Sequence, residues 1–234
     1  MPLDPVILAK YTKRQKTTRI SAKTKKDKQQ DKAIAKLKNV IQSNIKYVQG
    51  VLGETAVVNA SPVLSLLNGI AQGDTNLTRE ATKVNWRNMT IRIQLFTDAS
   101  WVVTDMVRVM IVRETTALGS AVGMSQLMQS STPVAVHGRN ITTRDPRRFK
   151  ILYDKAFTMG TPAQGVGLLN GNNPSDRFIT LKKKLGFTTS YDRGSDATIS
   201  SIEINSLYLI VFTDATTADS LYVNAGWTLE GYDI

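Results

Sequence analysis

Residues 106–113 read Met106-Val107-Arg108-Val109-Met110-Ile111-Val112-Arg113, and the fold class turns on this run. Apolar and β-branched side chains fill it. Asp105 stands before it and Glu114-Thr115-Thr116 behind it, so the run reads as a strand, buried on one face and spaced with arginine on the other. Working outward, similar runs recur at short intervals. Met89-Thr90-Ile91-Arg92-Ile93-Gln94-Leu95-Phe96 alternates and is followed by a Thr97-Asp98-Ala99-Ser100 turn. Residues 148–155, 177–182 and 185–191 alternate in the same way. A long strand is expected over 201–213, around Leu207-Tyr208-Leu209-Ile210-Val211-Phe212, and a last one near 221–232. Ser125-Gln126-Leu127-Met128-Gln129 is the one short helix expected among them. Seven or eight strands with no βαβ alternation predict an all-β sandwich or jelly roll spanning residues 51–234. The stretches 114–147 and 158–176 are long for connections, and long loops usually carry contacts.

Residues 1–50 have a different character. Thirteen bases stand there against Asp4, Asp27 and Asp31, a net of +10, whereas the whole chain carries +11. The remainder of the chain, from Val51 to Ile234, is therefore electrically balanced to +1. Residues 9–32 are rich in Lys, Gln and Thr and too poor in apolar side chains to offset the cost of ordering alone. From Thr24, a capping residue, Ala33, Ile34, Leu37, Ile41, Ile45 and Val48 fall three and four apart, which predicts an amphipathic helix over about 24–46. Its polar face, with Lys25, Lys28, Lys32, Lys36 and Lys38, suits a solvated surface, a polyanion or a membrane surface. The absence of Trp or Phe on its apolar side speaks against the last. Candidate nucleic-acid contacts are Lys10, Lys13, Arg14, Lys16, Arg19, Lys23, Lys25, Lys26, Lys28, Lys32 and Lys36. Lysine dominance suits point-charge contacts to phosphate rather than base reading.

Composition narrows the chemistry. With no cysteine and the single His137, thiol nucleophiles, Cys-based zinc sites and disulfide scaffolds are excluded, and no enzymatic activity is expected. Gly165-Val166-Gly167-Leu168-Leu169-Asn170-Gly171 lacks dinucleotide-loop spacing and a following helix. Asn59, Asn76, Asn88 and Asn140 match glycosylation acceptors only by pattern, and Asp98 with Asp105 reads as solvated turn charge. No apolar run is long enough to cross a bilayer as a helix, so no membrane span is expected. The stretch Met1–Lys16 places its positive charge after the apolar segment, the reverse of a secretory signal.

The run Leu66-Leu67-Asn68-Gly69-Ile70-Ala71-Gln72-Gly73-Asp74, with Arg79 and then Val84 after it, resembles the start of the jelly roll in satellite tobacco necrosis virus-like coat proteins, a family taken to include similar capsid proteins of small circular single-stranded DNA viruses. Residues 109–114, 148–154 and 205–214 resemble later strands of that family, in the same order. The resemblance covers about residues 60–234 behind a basic arm. It implies an eight-stranded viral jelly roll, self-assembly into an icosahedral T=1 shell of about 60 copies, packaging of single-stranded RNA or DNA by the arm, and a place in the virion after assembly inside the host cell. It also implies calcium at subunit interfaces, with Asp74, Glu80 and Asp233 as candidate ligands. Lys83 departs from the uncharged residue the relatives carry. The alternative is a non-capsid β-barrel nucleic-acid-binding protein with a basic tail. In that case Lys182-Lys183-Lys184, Arg144, Arg147 and Arg148 would add cations on the β body.

Overall fold

The computed structural model describes residues 26–37, 45–58, 62–97, 105–116, 119–128, 148–159, 176–214 and 221–234. The chain divides into two compact units, Met1–Asn44 and Ile45–Ile234.

In the first unit residues 26–37 form a helix, α1, exposed throughout. Ile34 and Leu37, two of the six residues of the expected apolar stripe, are 49% and 61% exposed. Ile41 lies outside the described residues, and the last two positions of the stripe do not belong to a helix. Ile45, Lys46 and Val48 lie in strand β1 (Ile45–Ala56), so the helix expected to reach 46 and the boundary expected at 50/51 are both corrected. The β unit begins at Ile45, because an apolar spacing of three and four across a helix-to-strand junction imitates one continuous stripe.

The second unit contains β2 (Val63–Leu66), β3 (Lys83–Thr97), β4 (Asp105–Glu114), α2 (Met124–Leu127), β5 (Phe149–Met159), β6 (Arg177–Tyr191), β7 (Ile202–Ile204), β8 (Ser206–Thr213) and β9 (Leu221–Asp233). One sheet has the order β1-β9-β3-β6-β7 and the other β2-β8-β4-β5, with every pairing antiparallel. The chain changes sheet at almost every connection, and only β4–β5 and β6–β7 stay within one. Setting aside the three-residue β7 at the edge, two four-stranded sheets connected in this order are the expected eight-stranded jelly roll.

Trp86, Met89, Ile91, Ile93, Val223 and Leu229 from the first sheet meet Val107, Val109, Ile111, Leu207, Leu209 and Val211 from the second in one buried core. The second sheet is covered on its other face too. Met110, Val112, Tyr208, Ile210 and Phe212 pack beneath Val122, Met124, Leu127 and Met128. All eight residues of β8 are therefore buried, which explains a continuous apolar run where alternation would be expected of a half-wet strand. Arg108 and Arg113, five residues apart, fall on opposite faces of β4 rather than on one. Arg108 grips Asp154 through Nε and Nη2 at 2.6 and 2.7 Å, while Arg113 lies over the Phe187 ring.

The strand expected over 201–213 is divided at Asn205, whose φ of 66° is tolerated by asparagine. The two strands expected at 177–182 and 185–191 are one, β6, continuous through Gly186 at φ 69° opposite the Trp86/Asn88 bulge.

Candidate nucleic-acid interface and cation site

The run that carries the family resemblance folds into a loop held by buried polar hubs. Asn68 donates through Nδ2 to Thr189 Oγ1 and to the Asn205 carbonyl, both at 2.9 Å. Its Oδ1 accepts the Leu207 amide at 2.8 Å, and its carbonyl accepts the Tyr191 hydroxyl at 2.7 Å. Gly69 is required, because a Cβ there would collide with the Ala197 carbonyl. Arg79 is fully buried. It donates to the carbonyls of Ala81, Asp192 and Gly194 at 3.3, 3.1 and 2.5 Å and stacks on Tyr191. Burial pushes the Tyr191 phenol well above its ordinary range. Similarly, Glu114 at the end of β4 is buried and accepts Arg148 Nη2 at 2.8 Å. Arg148 is thus engaged at the start of β5, and Arg144 and Arg147 lie outside the described residues. The motif residues are structural fasteners of the sandwich.

The loop also positions the candidate cation ligands. Glu80 and Asp233 come together, with the Glu80 amide donating to Asp233 Oδ2 at 2.8 Å. Between them sits a lysine ammonium. Lys46 Nζ donates to Glu80 Oε1 at 2.6 Å and to the Thr75 carbonyl at 3.1 Å, and stands 3.5 Å from Asp233 Oδ2. The Lys46 side chain is 2% exposed, Asp233 9% and Glu80 58%. Asp74 is exposed on the same loop. This donor set does not fit calcium, which takes six to eight oxygens. Two carboxylates already share an ammonium, and among the described residues no group of three or more acidic or histidine side chains could hold a metal. The cation the sequence pointed to, Lys83, is exposed at the start of β3. Composition places Lys46 with the arm, and nothing in a lysine-rich stretch marks one lysine as buried. Its transfer to the β unit leaves +9 on residues 1–44 and +2 on residues 45–234.

Of the predicted nucleic-acid contacts, Lys26, Lys28, Lys32 and Lys36 are exposed on α1, and Lys28, Lys32 and Lys36 follow one line about 6 Å apart. Lys10, Lys13, Arg14, Lys16, Arg19, Lys23 and Lys25 lie outside the described residues, as do His137 and the Gly165–Gly171 run. On the β unit the lysine triplet is split by the pleat. Lys182 and Lys184 share the outward face of the first sheet, whereas Lys183 turns away and donates to the Leu152 carbonyl. Among the described residues no helix is long and apolar enough to cross a membrane.

No protein-family model and no curated protein matches the chain. Solved structures are similar in shape at low identity. That of Desmodium yellow mottle tymovirus is 9% identical with a TM-score of 0.36 over 81% of this chain and 87% of the other. That of turnip yellow mosaic virus is 14% identical with a TM-score of 0.34 over 80% of each chain. That of cocksfoot mottle virus is 12% identical with a TM-score of 0.33 over 80% and 83%.

Proposed function

We propose that this chain is a viral coat protein that assembles into a small icosahedral shell and packages a single-stranded nucleic acid genome through its N-terminal arm. The role is structural, and the location is the virion, assembled inside the host cell. The observation that carries this reading is the segregation of charge onto one side of a fold boundary. Residues 1–44 hold +9, and the jelly roll over 45–234 holds only +2. A balanced β sandwich suits packing against copies of itself, and a cationic arm suits phosphate. The resemblance to satellite-virus coat proteins supports the same division.

In a shell of about 60 copies the arms bring on the order of 500 positive charges together. Without a polyanion that charge opposes closure, so genome and shell assemble together. Binding releases condensed counterions, and affinity falls with salt by about 0.7 log unit per log of salt for each phosphate neutralised. Lys46 supplies the positive charge at the Glu80–Asp233 pair, so on this reading the particle needs no divalent cation there.

Electron microscopy of purified protein, with absorbance at 260 and 280 nm, tests the proposal. Particles of about 20 nm that contain nucleic acid are expected, a size that follows from about 60 domains of ordinary compactness. A chain that stays monomeric at every ionic strength and with any polynucleotide overturns it, and one-to-one binding of single strands by that monomer would establish the β-barrel binder instead.

A further inference from the structure

We infer that the outward face of the β1-β9-β3-β6 sheet is a second contact surface for the single-stranded nucleic acid, with Phe178 stacking a base and Arg92, Lys182 and Lys184 meeting phosphates. The inference rests on the proposed packaging role and extends it from the arm to the shell.

Strand alternation sets the face. Ile91, Ile93 and Leu95 point into the core, so Thr90, Arg92 and Gln94 point out. Opposite them on β6, Lys182 pairs with Thr90, Thr180 with Arg92, and Phe178 with Gln94. Opposite them on β9, Thr228, Gly226 and Asn224 pair with the same three residues, and Val51 of β1 pairs with Gly226. Gly226 has no side chain, and nothing stands within 4 Å of where a Cβ would be. It is the bare floor of a groove of about 550 Å³ walled by Val51 on one side and by Arg92, Thr180 and Phe178 on the other. That is room for a nucleotide.

Three properties point to a nucleic acid strand as the occupant. Phe178 is 75% exposed, an aromatic ring presented to solvent from a rigid strand, and a base stacks on such a ring regardless of its identity. Arg92 lies diagonally across from it, within reach of a long side chain. Arg92, Lys182 and Lys184 are exposed and form no ion pair among the described residues. Glu230 is the one carboxylate at the outward, paired positions of these strands, and Asn88 Nδ2 donates to it at 3.2 Å. A second copy of this same face would oppose these cations with cations, which disfavours self-pairing. The arm joins the shell at Ile45, the first residue of β1 in this sheet.

The test uses the full-length chain, a short fluorescent oligothymidylate and a salt titration. The triple variant R92Q/K182Q/K184Q is expected to lower the slope of log affinity against log salt by about two. Phe178→Ala is expected to weaken binding about 5- to 150-fold at fixed salt with the slope unchanged. Ultraviolet crosslinking of bound oligothymidylate should yield a peptide containing Phe178. All four positions are exposed, and unchanged tryptophan fluorescence confirms that each variant folds. An arm variant, K26Q/K28Q/K32Q/K36Q, separates the two claims. If it loses affinity while the face variants keep wild-type slope and affinity, and no wild-type crosslink falls on the Phe178 peptide, the face is no contact and the packaging role stands. If neither set changes binding, both claims fall. Wild-type binding with failed assembly in the face variants would make this a subunit contact, and a face that binds phosphatidylserine vesicles but not oligothymidylate would make it a lipid surface. Either result overturns the inference.

Discussion

Replacing Lys46 with methionine tests whether the buried ammonium holds the β unit together. The side chain keeps its length, so packing is nearly preserved and the charge is what goes. Two carboxylates lose a partner, but not equally. Glu80 is 58% exposed, and its release costs no more than about 1 kcal/mol, the range of a surface pair. Asp233 is 9% exposed. After the substitution its Oδ2 retains the Glu80 amide, and its Oδ1 is already buried without a hydrogen-bond partner. An uncompensated buried charge costs about 3–5 kcal/mol, and the Thr75 carbonyl loses its donor as well. The Asp233 contribution therefore dominates, and a loss of about 3–5 kcal/mol is expected. At about 2–4 °C per kcal/mol for a domain of this size, the midpoint should fall by roughly 6–20 °C. Urea unfolding of the unassembled full-length chain, followed by fluorescence of Trp86 and Trp227 in the first sheet, measures it. Adding Asp233→Asn to Lys46→Met removes the orphaned charge and should recover more than half of the loss. A single-variant cost below about 1 kcal/mol, the level of a surface pair, or no recovery in the double variant, would refute the argument that Lys46 is an internal counter-ion.

Removing residues 1–37 should leave a folded β unit whose tryptophan-monitored midpoint is unchanged but whose particles, if any form, lack nucleic acid; unfolding of the remainder would contradict the two-unit division. Dialysis against EDTA at neutral pH should leave particle size unchanged by light scattering, because the Lys46 ammonium already occupies the place between the two carboxylates, and swelling would show a divalent cation at work. Stability should fall as the solution is made alkaline. Burial pushes the Tyr208 phenol up to about 12 and the Tyr191 phenol higher still. The unfolded chain releases these protons near pH 10 while the folded chain keeps them, so both contributions are complete below pH 10; that of Tyr208 is lost between about 10 and 12, and that of Tyr191 goes on being lost above that window. Tyr208→Phe should flatten that decline in denaturant melts taken across the same range.

The β unit was legible where apolar alternation was strong. The runs at 89–96 and 106–113 fall within β3 and β4, and that at 148–155 within β5 from Phe149 on, and their order with the later strands is enough for the fold class. β1 was hidden because Ile41, Ile45 and Val48 continue the spacing of Ala33, Ile34 and Leu37, and only pairing with β9 makes a strand of it. β6 looked like two strands because three successive lysines interrupt its alternation, although two of them merely follow the outward pleat. Polar hubs such as Asn68 and Arg79 were visible as residues in a recognisable run, but their burial is set by partners 121 and 113 positions away, Thr189 and Asp192, which no local pattern encodes. The pairing of Glu80 with Asp233 is nonlocal in the same sense. The resemblance brought those two carboxylates into one site, and the charge that joins them came from a lysine that composition assigned to the arm.

The placement of Lys46 also has a mechanical side. On the proposed packaging role, a polymer pulling on residues 1–44 would load the β unit at Ile45, one residue before a clamp bonded to the last strand and to the loop around Thr75. β1 and β9 are zipped antiparallel from Ile45↔Tyr232 onward, so the point of load is also the point where peeling would begin. A fastener at that corner would make the whole ladder share such a pull rather than yield one pair at a time.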